Sequence, residues 1–387
     1  MQKYCVCLPR LLPGYIVLCT RIQENIGGNM LSLLSRGRLT PGRPCVPYGR
    51  RWLCLAANGT NTLSLSHARN LDDLVSRHAI APEKDIESFW FNFRKHFRRL
   101  PEDHRRFIRE HRERADAFRP ACEDTVATLP HLSSRCIATL VYVFAESALH
   151  SPPWDSAWDE LPAAIKGRLD EFNHLELANS AWAFAAIDRY DPDLFDAFAL
   201  DAIRRFESRD ELFKPSHLMQ LAMGFAVAGH SSAEMFASIA RAVVDQSADF
   251  KAKQLANVAW AFAAAGHEAP ELFDVVEAEM STETRLKYLK PHHVANLAWA
   301  LVKSRTPSPE LLDALSKCIS PLEISDFDDE GIVKLSWAFG SAGHPVPGQL
   351  GSLDASRIED TLRDSDSANG RRDTAIRLKY TFIGNRN

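Results

Sequence analysis

One string recurs along the chain. Leu255-Ala-Asn-Val-Ala-Trp-Ala-Phe-Ala-Ala-Ala265 is followed by Gly266 and His267. Leu177–Ala185 and Val294–Leu301 are close copies, and Leu218–Ala226, Ile332–Phe339 and Ile137–Phe144 are weaker ones. Measured on an anchor residue (Tyr142, Trp182, Met223, Trp260, Trp299, Trp337), adjacent copies lie 37–41 residues apart. Periods of this size belong to two-helix repeats, in which one unit cannot bury its apolar face alone and must stack on the next. The expected fold class is therefore all-α: an α-solenoid, a right-handed superhelix of about six helix-turn-helix repeats.

The register within a unit supports this. Counted from the anchor, offset −5 holds Ile137, Leu177, Leu218, Leu255, Val294 and Ile332, and offset +2 holds Phe144, Phe184, Phe225, Phe262, Leu301 and Phe339. Alanines fill most of the space between, so the first helix is apolar nearly all round and belongs among other helices. Offset +6 is Gly229, Gly266 and Gly343, which suits a left-handed C-terminal cap. A histidine follows each: His230, His267 and His344, at a helix end that favours a cation. Pro192, Pro270, Pro309 and Pro347 at offset +10 suit the first turn of a second helix, with Asp191 and Ser308 as N-caps. That helix carries its apolar residues on one face, as in Leu272, Phe273, Val276 and Met280.

One polar stripe interrupts the first helix. Offset −3 reads Thr139, Asn179, Gln220, Asn257, Asn296 and Lys334. Offsets −7 and −6, on the same arc, supply His217, Lys253, Gln254, His292 and His293. Two readings fit these residues. The stripe lines a groove that contacts a single strand of RNA, or its amides bond from one repeat to the next and satisfy groups that are costly to bury. The anchor tryptophans divide the same way, between stacking platforms and core.

Charge is unevenly spread. Residues 1–130 carry 21 Lys and Arg against 13 Asp and Glu, a net of +8, whereas residues 131–350 carry 18 against 31, a net of −13. Residues 1–70 hold nine basic residues and a single acid, Glu24. An acid-poor, Arg-rich, Ser-bearing start reads as an organelle transit peptide, and Met30-Leu-Ser-Leu-Leu-Ser-Arg opens a tidy version of one. Residues 71–130 form a basic helical segment or N-terminal cap. Phe89–Arg99 mixes aromatics with Arg94, Lys95, Arg98 and Arg99, and Arg105, Arg106, Arg109, Arg112 and Arg114 follow. Cations on phosphates and rings on bases would make a nucleic-acid contact. Equally, an amphipathic helix would pack its Phe face on the first repeat and solvate its arginines. Residues 131–350 are the repeat array and 351–387 a polar tail.

Nothing in the chain points to catalysis. Of eight cysteines only Cys122, Cys136 and Cys318 lie beyond residue 70, without zinc-ligand spacing. No metalloprotease, nucleophile-elbow, phosphate-loop or dinucleotide string occurs. No stretch is long and apolar enough to span a bilayer. The expectation is a non-enzyme with no cofactor, no metal, no small-molecule substrate and no membrane.

The string Leu-Ala-Asn-x-Ala-Trp-Ala-Phe-Ala, with Gly-His and Pro-Glu-Leu-Phe behind it, resembles the repeats of organellar RNA-binding proteins. The octotricopeptide and heptatricopeptide repeat families, the FAST-kinase-like leucine-rich region and the RNA-editing substrate-binding subunits share this pattern. The resemblance covers residues 131–350 and is strongest around Trp182, Trp260 and Trp299. It implies an α-solenoid, a mitochondrial location (plastid as the alternative), and a role in RNA processing, stability or ribosomal RNA maturation. Many such proteins end in a small nuclease-like domain, for which the chain beyond residue 350 is too short. The alternative is a scaffold for other proteins of an organellar complex.

Overall fold

A computed structural model describes residues 6–10, 16–20, 45–48, 51–54, 74, 86–100, 115–149, 154–208, 213–281, 283–304, 308–320, 326–327 and 329–345. Fourteen α-helices are described. They are α1 (Ile86–Arg98), α2 (Ala115–Thr128), α3 (Ser134–Glu146), α4 (Asp155–Lys166), α5 (His174–Ala186), α6 (Pro192–Ser208) and α7 (Pro215–Ala228). There follow α8 (Ala233–Asp245), α9 (Ala252–Ala265), α10 (Pro270–Met280), the short α11 (Glu283–Leu286), α12 (Pro291–Lys303), α13 (Pro309–Ile319) and α14 (Asp329–Ser341).

Helices pack against neighbours in the order of the chain and form two layers. The front layer runs α1, α3, α5, α7, α9, α12, α14, each packed on the next; the back layer runs α2, α4, α6, α8, α10, with α11 between α10 and α13. This is an all-α, solenoid-like architecture. The front helices are the apolar ones. In α5, α7 and α9 the residues at offsets −5, −2 and +2 are wholly or almost wholly buried. The back helices bury one stripe only, such as Leu272, Phe273, Val276 and Met280 of α10.

Helix ends follow local chemistry. Gly229, Gly266 and Gly343 take positive φ (66°, 70° and 65°). In each case the N–H of the following histidine donates to the carbonyl of the offset +2 phenylalanine, as His230 to Phe225 (3.1 Å). This is the six-to-one bond that closes a helix on a left-handed cap. Pro192, Pro270 and Pro309 open α6, α10 and α13. Asp191 and Ser308 cap two of these, accepting from Leu194 (2.8 Å) and Leu311 (3.2 Å).

Three features were not in the sequence register. First, α1 and α2 form a further hairpin ahead of the six. Its Trp90 is fully buried, touches Phe144 and Trp154 edge-on, and donates from Nε1 to Thr125 Oγ1 (2.9 Å). Second, the left-handed cap persists where glycine is missing. Ala148 (φ 55°) and Asp188 (φ 58°) hold it, with Leu149 bonding to Phe144 and Arg189 to Phe184 across it. Third, residue +7 clasps the preceding back helix. Arg189 pairs with Asp155 and Asp159 of α4, His230 Nε2 with Asp196 of α6 (3.2 Å), and His344 Nε2 with Asp313 of α13 (2.8 Å). His267 instead stacks on Phe236 of α8, centroids 4.1 Å apart.

The N-terminal 70 residues contribute two β-hairpins, Val6–Arg10 with Ile16–Thr20 and Cys45–Tyr48 with Arg51–Cys54. The rest of the transit-like segment, the arginines between 105 and 114, Pro347 and the tail 351–387 lie outside the described residues.

Helices α5 and α7 approach each other most tightly at Gly224, where a Cβ would stand 2.9 Å from the backbone nitrogen of Trp182. We expect Gly224→Ala to lower stability by about 1–3 kcal/mol, because the obstacle is backbone and cannot rotate away. Ala148→Gly should raise it by about 1 kcal/mol by relieving a left-handed alanine. Chemical denaturation of the full chain measures both.

Candidate nucleic-acid interface

The offset −3 row lies between front helices, not on an open surface. Its exposure is 8% at Asn179, 7% at Gln220, 2% at Asn257, 3% at Asn296 and 7% at Lys334. Two pairs bridge adjacent repeats: Gln220 Nε2 donates to Asn179 Oδ1, and Lys334 Nζ to Asn296 Oδ1, both at 2.7 Å. Lys334 is neutralised by Glu330 one turn earlier (2.7 Å) and sits 5.6 Å from the ring centre of Trp260. Asn257 is different. Its Nδ2 reaches only the sulfur of Met219 (3.5 Å), and its buried Oδ1 has no partner.

Offset −6 is a capping position. In α5, α7, α9 and α12 it is the third residue of the helix, and its side chain accepts from the backbone N–H three residues earlier. Glu176 takes Asn173 N–H (2.9 Å), His217 Nδ1 takes Lys214 N–H (3.3 Å), Gln254 takes Lys251 N–H (2.8 Å) and His293 Nδ1 takes Lys290 N–H (3.2 Å). Each satisfies one backbone donor that the helix start leaves over. The two histidines are strongly shifted. Burial, then His174 and Lys214, push His217 down to about 4. Burial, then His292, Lys253 and Lys290, push His293 down to about 3. Both rings are neutral at pH 7 and add no charge for a phosphate. His292 is half-buried, its ring 4.0 Å from that of His293, whereas Lys253 is exposed.

The basic segment 89–99 resolves into two sides of α1. Phe89, Trp90, Phe93 and Phe97 are buried, while Lys95, Arg98 and Arg99 are exposed and Arg94 is half-buried. Arg94 and Arg98 place their guanidinium groups 5.0 and 5.5 Å from the Tyr142 ring centre, and Arg98 Nε reaches Glu146 (3.3 Å). Tyr142 in turn lies 5.5 Å from Trp182. The anchors Tyr142, Trp182, Met223 and Trp260 are buried, and Trp299 and Trp337, 6.5 Å apart, are partly so.

The structure thus separates residues that the sequence grouped. Asn179, Gln220, Asn296 and Lys334 hold repeats together; His217, Gln254 and His293 hold helix ends; Lys95, Arg98, Arg99 and Lys253 remain at the surface. The sequence reading passed over Lys214, Lys251 and Tyr288, which are also exposed. Three lysines directly before a front helix was the available signal. Among the described residues no three His, Cys, Asp or Glu gather as metal ligands, and no helix is long and apolar enough to cross a membrane. Cys122 and Cys136 are buried and Cys318 is half-buried.

The chain matches no model of a known protein family. A search of curated proteins likewise gave no match.

Two outcomes are expected. Replacing Asn179 or Gln220 by Ala should each cost about 1–3 kcal/mol by orphaning a buried partner, and the double variant should cost less than the sum. The histidines set an acid limit. An unfolded imidazole takes its proton near the ordinary value of 6.5, while the folded ones resist until about 4 and about 3. Their contribution is therefore complete above 6.5 and is lost as pH falls through that window. His217→Gln with His293→Gln keeps the acceptor that Gln254 already provides and should flatten the decline, read from unfolding midpoints against pH.

Proposed function

We propose that this chain is a non-catalytic, single-stranded RNA-binding repeat protein of an organelle, the mitochondrion or alternatively the plastid. Its role is in RNA processing, stability or ribosomal RNA maturation. One observation carries the binding: on the front helices four acids are engaged internally while cations stay outside. Glu87 accepts from the Ser133 N–H (2.6 Å), Glu146 from Arg98, Glu176 from the Asn173 N–H, and Glu330 pairs with Lys334. Lys95, Arg98, Arg99, Arg135, Lys253 and Lys303 stay exposed on the same layer. Exposed acids such as Asp193, Glu234, Glu271, Asp274 and Glu310 are carried by the back helices. The net −13 of the array is thus weighted to the layer away from this face, and counterion release at clustered cations supplies affinity for a polyanion.

A second reading, a scaffold for a protein partner, draws on that acidic back layer, which suits a basic protein.

Binding of the full chain to a mixed-sequence, unpaired RNA should weaken steeply with salt. Lys95→Ala, Arg99→Ala and Arg135→Ala together should reduce affinity and lower the log–log salt slope by roughly two, at about 0.7 per lost single-strand phosphate contact. The unfolding midpoint should stay put. Absence of salt-dependent binding by the unaltered chain rejects the RNA reading.

A further inference from the structure

Lysine is the wrong residue for the start of a helix. Ser, Thr, Asp or Asn there accepts a leftover backbone N–H, and a cation opposes the positive end of the helix dipole. Yet Lys214, Lys251 and Lys290 occupy the residue before α7, α9 and α12, three consecutive front helices, and none makes a capping bond with its side chain. Their backbones share one extended conformation (φ −71°, −75°, −79°; ψ 158°, 149°, 159°), held by the offset −6 side chains described above. One such lysine falls in each repeat, exposed at Lys214 and Lys251 and half-buried at Lys290. Lys253 adds a fourth cation a residue into α9.

These three helices also start without an acid. The first turns of α7, α9 and α12 contain none, while α4, α6, α8, α10 and α13 begin with Asp155, Asp193, Glu234, Glu271 and Glu310. Histidine or glutamine does the work that glutamate performs in α5. Neither Lys214 nor Lys251 gives its helix a side-chain cap in return. A local rule broken at successive repeats is the mark of a functional surface.

An exposed ring stands in line with it. Tyr288, two residues before Lys290, is 72% exposed, and Lys287 Nζ lies 5.1 Å from its ring centre. A bare aromatic face flanked by cations offers what an unpaired nucleotide needs: a platform for the base and charge for the phosphate.

We infer that the edge formed by Lys214, Lys251, Lys253 and Lys290, ending at Tyr288, is the track on which single-stranded RNA lies, with the buried amide row beneath it structural. This deepens the RNA-binding reading and rests on it.

The test exploits the misplaced lysines. In the full chain, Lys214→Ser and Lys251→Ser restore good caps and Lys253→Gln removes the extra charge. This triple variant should unfold at a higher temperature than the parent and yet bind a mixed-sequence unpaired RNA more than about tenfold more weakly, with the salt slope lower by roughly two. Damage to the fold would shift the midpoint the other way. Tyr288→Ala should weaken the same RNA by about tenfold with the salt slope unchanged, and should leave binding to a fully paired duplex unaltered. If the triple variant and Tyr288→Ala bind like the parent while the Lys95, Arg99 and Arg135 variant does not, the edge is overturned and RNA binding stands. If the parent binds no RNA, both fall. Equal loss of single-strand and duplex binding in Tyr288→Ala overturns the stacking platform.

Discussion

A helix apolar almost all the way round must be enclosed by others, and the six from α3 to α14 in the front layer can enclose one another only by lying side by side with a second layer behind. That requirement governs everything else in this molecule. Alanine at most front positions lets neighbouring backbones close in, to the point where Gly224 faces the Trp182 backbone with no room for a methyl group. Phenylalanine at offset +2 fills the space toward the back layer, where Phe144, Phe195 with Phe225, and Phe236 with Phe262 meet edge-on. Such pairs add about 0.5–1.5 kcal/mol each beyond the area they bury. The few polar groups caught in the seams must then find partners there, which is why an amide row that looks like a reading surface is mostly a set of cross-links.

Much of this was legible in one sequence because it is local chemistry repeated. Glycine after an apolar run, proline at a fixed distance beyond it, and Asp191 or Ser308 before that proline specify ends by local chemistry, and the structure has them at Gly229, Gly266, Gly343, Pro192, Pro270 and Pro309. Other features were ambiguous in kind. His217, Gln254 and His293 are as suitable for lining a groove as for capping a helix, and only the bonds to Lys214, Lys251 and Lys290 decide between them. The amphipathic character of α1, with its Phe face packed inward, was legible, but its pairing with α2 as a further hairpin was not, because these residues break the repeat pattern. At Tyr142 the neighbouring position is filled by arginine guanidinium groups instead of another ring, and Trp90 points into the core. Exposure of Tyr288 follows from the placement of α11, four residues long, which no periodicity announces.

Net charge was the least informative number. A −13 array suggests repulsion of nucleic acid, but Glu87, Glu146, Glu176 and Glu330 on the front helices are engaged by a neighbouring backbone or cation, while back helices carry exposed acids such as Asp193, Glu234, Glu271 and Glu310.

The clasps between repeats are uneven. Arg189, His230 and His344 tie their repeats to a carboxylate behind, and Gln220–Asn179 and Lys334–Asn296 reinforce two of those joints. Between α7 and α9 the corresponding ties are an amide on a thioether, a long Ser231–His267 contact (3.5 Å) and a ring stack. A carboxylate clasp resists separation through charge as well as shape, whereas the ties between α7 and α9 resist it through shape alone. A load spread along the stack, or a curved ligand laid on it, therefore meets less electrostatic resistance at that joint than at the three fastened by Arg189, His230 and His344.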